Sequence, residues 1–369
     1  MNTDAMNVFK EPGQTQMMNK LWEIQKSKGL INDDDIAALA TEFNLAAIEV
    51  EGVVSFYHFF HRKPTGKFTI YLNNSIVADF KGFNRIKETF ERETGTAFGS
   101  VDRTGTFGLF LTPCIGLSDQ EPSALINFYP FVNLNAIKVK EIIAKLKNGA
   151  TVESICDTPA DNIRYMPPDH KTIFFKKYIA GEALSKLPSL GATGVIEEIK
   201  IAELAGRGGA YYPTWKKWEA ARVQPATPKF VVCNADEGEP GTFKDRVLMS
   251  NQAHSLIEGM IICGYSIGAA FGIIYLRGEY WWLKDKLDHA IKEFHAAGSL
   301  GKNCNHINGF DFDVRIQMGA GSYVCGEETA LLESLEGKRG EPRTKWFFPV
   351  EKGYLQLPTV VNNVETFCA

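Results

Sequence analysis

The chain has 369 residues, more than one ordinary domain of about 100 to 200 residues, so two or three cores are expected. Hydrophobic residues make up 44% and charged residues 23%, with 33 glycines and 25 phenylalanines, which excludes a disordered tail and leaves ample material for turns and cores. With 40 basic against 44 acidic side chains the net charge is −4, no field that holds a polyanion, so no nucleic-acid partner is expected.

From Gln16 to Phe60 apolar residues recur at spacings of three and four in MMNKLWEIQ, DDDIAALATEF and AAIEVEGVVSFYHFF, which predicts a small helical bundle over residues 1–65. Gly29 is placed to close the first helix, and Asn32 or Asp33 to cap the second. HRKPTGK, residues 61–67, reads as a connector. Next come a strand within KFTIYLNNSIVADF, a helix from Gly82 to Thr94, strands near Thr106 to Leu111 and Ser123 to Phe128, and a helix from Asn135 to Lys147. That order over residues 66–148 suits a compact α/β domain of thioredoxin-like type. Residues 149–190, with Pro159, Pro167, Pro168 and Pro188, read as a polar linker. From 191 to 369, strands such as KFVVCNA and GIIYLRG alternate with helical segments, which predicts a larger Rossmann-like α/β domain with a mostly parallel sheet.

GMIICGYSIGAAFGIIYL, Gly259 to Leu276, is 18 residues without a charge, and its glycines divide it into a buried helix, a break and a buried strand rather than a membrane span. The seven cysteines form no CxxC, so no zinc ribbon or iron–sulfur site is encoded locally. Met1 to Gln16 is mostly polar, so a cytoplasmic protein with reduced thiols is expected.

Four segments can carry chemistry. GRGGAYYPTW, Gly206 to Trp215, is a glycine loop whose amides can approach a phosphate beside Arg207, or simply a tight turn. NADEGEPGTFKDR, Asn234 to Arg246, follows an apolar strand, where open α/β sheets place ligands; its carboxylates suit a metal, hydroxyl or amide groups, or solvent. GAGSYVCGEETALL, Gly319 to Leu332, places Glu327 and Glu328 at a helix start. In PTVVNNVET, Asn362 and Asn363 can each donate and accept.

Together KFVVCNADEGEPGTFKDRVLM, GIIYLRGEY, GAGSYVCGEETALLESLEGKRGEPR and PTVVNNVET resemble the flavoprotein that binds FMN and NADH in respiratory complex I and its relatives. The N-terminal part resembles the small thioredoxin-like subunit of that module, fused in front. With FYHFF and GLSDQEP, the fusion looks most like the diaphorase large subunits of soluble NAD-reducing [NiFe] hydrogenases.

The resemblance implies FMN on the loop Gly206, Arg207, Gly208, Gly209 and Ala210, with further flavin contacts at Lys217, Asn234, Asp236, Glu237, Tyr323, Gly326, Glu327, Val361, Asn362 and Asn363. It places Tyr212, Glu239 and Glu328 beside NAD(H). It implies hydride transfer between nicotinamide and flavin with no acid or base side chain; Glu239 and Lys217 serve in positioning. Electrons would pass singly to iron–sulfur clusters. Where the family reads GRGGAGFPTG, Tyr211 and Trp215 here replace glycines, and Trp346 stands where proline is usual.

At the four positions that hold a [2Fe-2S] cluster in the small subunit, only Cys114 is cysteine beside Asn73, Ala78 and Ser118, so that cluster is expected to be lost. The family's [4Fe-4S] ligands would lie beyond Ala369, so the chain is expected to be part of a longer protein or a shortened homologue. Expected partners are a small iron–sulfur diaphorase subunit and hydrogenase subunits. The alternatives are the corresponding subunit of complex I or of an NAD-dependent formate dehydrogenase, and a docking scaffold without flavin.

Overall fold

The computed structural model describes residues 11–160, 178–344 and 346–369. Pro167 and Pro168 of the expected linker, and the first ten residues, lie outside them.

Three helices lead: α1 (Met17–Lys28), α2 (Asp33–Phe43) and α3 (Ala47–Phe56). Gly29 takes the left-handed conformation (φ 75°) that closes α1, and its N–H donates to Gln25 O at 2.8 Å. Asn32 rather than Asp33 caps α2, in a capping box with Asp35. The next domain runs β1 (Phe68–Asn73), α4 (Ile76–Phe80), α5 (Phe83–Thr94), β2 (Ser100–Val101), β3 (Phe107–Thr112), β4 (Ala124–Ile126), β5 (Tyr129–Phe131) and α6 (Ala136–Lys147). Its sheet has the order β2-β3-β1-β4-β5, with β1 and β3 parallel and the other pairs antiparallel. The segment expected as one strand at Ser123 to Phe128 is a hairpin, β4 and β5, turning at Asn127 and Phe128, which both have positive φ.

A short α7 (Val152–Ile155) precedes the second α/β unit, which comprises α8 (Leu187–Ile201), α9 (Thr214–Arg222), β6 (Phe230–Ala235), α10 (Lys244–Ile267), β7 (Phe271–Leu276), α11 (Lys284–Ala296), β8 (Asp313–Met318), α12 (Glu328–Leu335), α13 (Pro349–Lys352), β9 (Thr359–Asn363) and α14 (Val364–Cys368). Its four strands are all parallel, in the order β8-β7-β6-β9. The uncharged run at 259–276 is the end of α10, a left-handed Gly268 (φ 71°) and β7. Among the described residues no helix is long and apolar enough to cross a membrane.

Two apolar cores form. The smaller lies between the five-stranded sheet and α5 and α6, around Ile70, Leu72, Phe90, Leu109 and Ile143. The larger is shared by the N-terminal helices and the parallel sheet, and joins Met17, Leu21, Trp22 and Val54 to Val231, Ile274 and Leu331. Trp22 packs edge-on to Trp281 with ring centroids 4.7 Å apart, and its Nε1 donates to Gly319 O at 3.2 Å. His58 N and Phe59 N donate to Gly321 O and Ala320 O, each at 3.1 Å. These bonds satisfy backbone groups that burial would otherwise leave without water. The helices therefore brace the loop after β8, from which one wall of the crevice described next is built.

Candidate functional site

The order of strand addition in the parallel sheet reverses between β6 and β9. The chain moves outward from β6 to β7 and β8, then returns to place β9 on the other side of β6. In open α/β sheets such a reversal leaves a crevice at the carboxyl ends of the strands, where ligands bind. Here those ends carry Asn234 and Asn363, which stand opposite each other in register.

The glycine loop closes over the β9 side. Gly206 N donates to Tyr212 O at 2.8 Å, Thr214 N to Leu204 O at 2.9 Å and Arg207 N to Thr366 Oγ1 at 3.0 Å. Residues 207–212 are exposed, and the amides of Gly208, Gly209 and Ala210 make no hydrogen bond among the described residues. A Cβ on Gly208 would stand 3.3 Å from Cβ of Asn363, so a larger residue there would fill the space between loop and strand end. Tyr211 has φ 53°, a conformation that costs a residue with a side chain roughly 1–2 kcal/mol. Its ring projects into solvent with Arg207 above it. Trp215 lies on α9 between Lys200 and Lys216, against the rim of the larger core. Tyr212 is exposed at the far end of the loop.

Half-buried Lys217 projects from α9. Its ammonium donates to Val361 O at 2.9 Å and lies 3.5 Å from Glu328 Oε2. Asn362 is oriented so that its amide oxygen accepts from Trp218 Nε1 at 3.0 Å. Asn234 Nδ2 donates to Gly326 O at 2.8 Å and its oxygen accepts from Asp236 N at 3.1 Å, which ties β6 to the turn Tyr323–Gly326. On the outer rim Tyr323 Oη donates to Glu239 Oε2 at 2.5 Å. The Tyr323 ring lies over Gly238, where a Cβ would come within 3.1 Å of it.

Two of the expected residues point elsewhere. Glu237 is buried at the start of α10, where it accepts from Asp245 N at 2.9 Å, Arg246 N at 3.2 Å and Tyr280 Oη at 2.8 Å. Glu327 caps α12 by accepting from Thr329 N and Ala330 N at 2.9 and 3.0 Å. Both carboxylates sit at positive helix ends.

Lys244, Arg277, Glu279 and Glu365, which the sequence does not single out, join Asp245 in a charged layer beneath the crevice. Lys244 Nζ reaches Asp245 at 2.6 Å, Asn363 Oδ1 at 2.9 Å and Glu365 at 3.1 Å, while Asn363 Nδ2 donates to Asp245 Oδ2 at 2.6 Å. Buried Arg277 donates to Glu237 O and pairs with Glu279 at 2.7 Å. The available signal was an arginine placed directly after the apolar strand GIIYL, at the ligand-facing end of a parallel strand.

Burial pushes the Asp236 carboxyl up to about 8; Arg277 opposes the shift and Glu279 adds to it. Between about pH 4 and pH 8 the folded chain then keeps a proton that the unfolded chain has released. This group's share of stability therefore falls as pH rises through that window. Asp236→Asn is expected to shrink the loss of unfolding free energy between about pH 5 and about pH 8 in flavin-free protein. An unchanged loss in denaturant titrations would contradict the shift.

In the thioredoxin-like domain, Cys114 Sγ lies 3.4 Å from Ser118 Oγ, Ala78 is buried at the start of α4, and buried Asn73 donates to Glu121. Burial pushes Glu121 up to about 7. No group of three or more histidine, cysteine, aspartate or glutamate residues placed to hold a metal occurs among the described residues.

Comparison with known proteins agrees with this architecture. Residues 199–369 match the family described as the Nuo51 FMN-binding domain, and residues 5–147 the thioredoxin-like [2Fe-2S] ferredoxin family. The chain is 46% identical over 366 residues to the NAD-reducing hydrogenase HoxS subunit alpha of Cupriavidus necator, covering 96% of this chain and 61% of that one. It is 51% identical over 189 residues to an NADH-quinone oxidoreductase chain of Aquifex aeolicus, covering 50% of this chain and 43% of that one. A crystal structure of NAD+-reducing [NiFe]-hydrogenase in the H2-reduced state superposes with a TM-score of 0.87 at 34% identity, over 95% of this chain and 60% of that one. The chain thus spans about three fifths of the length of the hydrogenase relatives it matches. A thioredoxin-like domain followed by a Nuo51-type FMN-binding α/β domain makes this chain similar, over nearly its whole length, to the diaphorase flavin subunits of NAD-reducing hydrogenases.

Proposed function

We propose that the chain is the flavin-bearing part of a diaphorase that exchanges hydride between NAD(H) and FMN within a cytoplasmic NAD-reducing hydrogenase. The observation that carries this reading is the convergence, at the carboxyl ends of β6 and β9, of a glycine loop with free amides, a lysine and paired asparagines. Bound FMN would supply two-electron exchange with the nicotinamide and one-electron exchange with iron–sulfur clusters.

The chain's own residues have defined tasks. The amides of Gly208, Gly209 and Ala210 and the charge of Arg207 suit a phosphate. Lys217, held by Val361 O and Glu328, brings a fixed positive charge to the strand ends and favours an anionic ligand ring there. Asn234, Asp236, Gly326, Val361, Asn362 and Asn363 form the polar floor, Tyr323 stands on the flavin side of the rim, and Tyr212, Glu239 and Glu328 belong to the nucleotide side. Glu237 and Glu327 act behind this layer as helix caps that fix its backbone.

The thioredoxin-like domain is read as a docking element without a [2Fe-2S] cluster, since one thiol and the side chains of Asn73, Ala78 and Ser118 cannot supply four thiolates. A [4Fe-4S] cluster would belong to a part of the protein outside these residues. The partners would be the small iron–sulfur diaphorase subunit and the hydrogenase subunits. The hydrogenase assembly is favoured over complex I because the hydrogenase relative matches both domains in one chain, whereas the NADH-quinone oxidoreductase relative matches half of it.

Reconstitution with FMN is expected to give visible flavin bands, and their absence would leave only a scaffold. In reconstituted protein Glu239→Ala is expected to raise the KM for NADH by about tenfold, the share of one lost charged contact, with flavin content kept. Equal loss of both would place Glu239 on the flavin side instead.

A further inference from the structure

The loop 113–122, which stands where relatives of the thioredoxin-like domain carry cluster ligands, is joined to the other domain by charged groups rather than by apolar contact alone. Arg246 of α10 is completely buried. Its two terminal nitrogens lie 2.8 and 2.9 Å from the two carboxylate oxygens of Asp119, and Nη1 also donates to Gly116 O at 2.9 Å. Arg277 donates to Cys114 O at 2.8 Å. Gly116 (φ 74°) lies against the Tyr280 hydroxyl so closely that a Cβ would collide with it.

The far ends of these groups converge on Glu237, directly behind the crevice floor. Arg277 donates to the Glu237 carbonyl, Tyr280 Oη to the Glu237 carboxylate, and the Arg246 backbone N–H to that same carboxylate. Glu237 is the direct neighbour of Asp236 and two residues from Glu239. The turn of α10 that begins here also presents Lys244 and Asp245, which hold Asn363 at the end of β9. Loop atoms of one domain are thus two contacts away from both lips of the crevice in the other. Burying two guanidinium groups is costly unless their partners are in place, so seating the loop stabilises the arrangement behind the floor.

We propose that loop 113–122 is a positioning element of the flavin crevice, with the Asp119–Arg246 pair as its clamp, so that the thioredoxin-like domain sets flavin affinity and potential through contact alone. This rests on the FMN reading above. Asp119 is a positioning residue; it touches neither strand end.

The test uses the full chain with Asp119→Asn, which keeps shape and removes the charge, Asp119→Ala, and Asp119→Glu as a restoring change. FMN affinity is read by quenching of flavin fluorescence on the flavin-free protein, alongside the flavin midpoint potential and hydrogen exchange of the 236–246 backbone. Asp119→Asn is expected to weaken FMN binding by about tenfold, shift the potential and speed exchange at 236–246, with Asp119→Glu recovering part of each. A lowered unfolding midpoint with unchanged affinity, potential and exchange would make the loop an adhesive contact and overturn the proposal. Should Asp119→Ala fail to fold, Asp119→Asn decides alone, because its side chain lies at the rim, 27% exposed. A native chain that binds no FMN would overturn both the FMN reading and the proposal; native binding with an indifferent Asp119→Asn overturns the proposal alone.

Discussion

Arg246→Ala is expected to lower the unfolding free energy of the chain by about 2–5 kcal/mol, the usual cost of emptying a fully buried large side-chain site, with the lost pair to the partly exposed Asp119 adding to it. Arg246 has no exposed surface and serves Asp119, the Gly116 carbonyl and the Glu237 carboxylate, two of them across the domain boundary. Alanine would keep the backbone bond to Glu237 but remove the donor to the Gly116 carbonyl and leave the Asp119 carboxylate, among the described residues, with Gln120 Nε2 alone, at 3.0 Å. It would also open a cavity of the size of the lost side chain. Arg246→Met fills most of that volume without the charge, so it separates the two contributions. The check is a denaturant titration of all three proteins, and a loss below about 1 kcal/mol for alanine would show the pair to be no better than a surface ion pair.

The second large effect concerns binding. Lys217→Met is expected to weaken FMN binding by about 10- to 100-fold, equivalent to about 1.5–3 kcal/mol for a charged hydrogen bond. Lys217 is held over the end of β9 by the Val361 carbonyl and Glu328, and is the cation on the glycine-loop side of that strand end. Methionine keeps the length of the stem and its packing on α9, so the fold itself is expected to change little. Fluorescence titration against native protein checks the affinity, and thermal unfolding checks the fold. Equal affinities would place the ligand away from α9.

Much of this was legible in local sequence. Gly29 and Asn32 act as the stop and start signals they resemble, because capping depends on side chains within four residues. Asn234 and Asn363 stand at the ends of apolar strand runs, and the register places them face to face. Non-local features were hidden. The β4–β5 hairpin turns at Asn127 and Phe128 without glycine, because the Phe128 ring packs on Trp22 at 5.1 Å and on Phe59 at 5.0 Å. Tertiary packing there outweighs the poor fit of a phenylalanine to positive φ. The resemblance offers Glu237 and Glu327 as flavin contacts, yet a carboxylate also satisfies helix-start amides, Glu327 as the residue directly before α12 and Glu237 from seven residues before α10. The Arg246–Asp119 pair joins residues 127 positions apart, and nothing in either segment announces the other.

Tyr211 illustrates a residue whose departure from the family pattern has a visible cost and a mild consequence. The backbone takes the left-handed conformation natural to glycine, while the ring turns outward and leaves the amides of Gly208 to Ala210 open. The loop therefore keeps these amides open despite the bulky substitution.

The most direct measurement is an anaerobic titration of the FMN-reconstituted chain with NADH, followed in the visible spectrum. The flavin bands are expected to bleach with one equivalent of NADH per bound FMN and to return on reoxidation. Flavin that binds but stays oxidised in excess NADH, or a chain that takes up no flavin, would contradict the proposed hydride exchange.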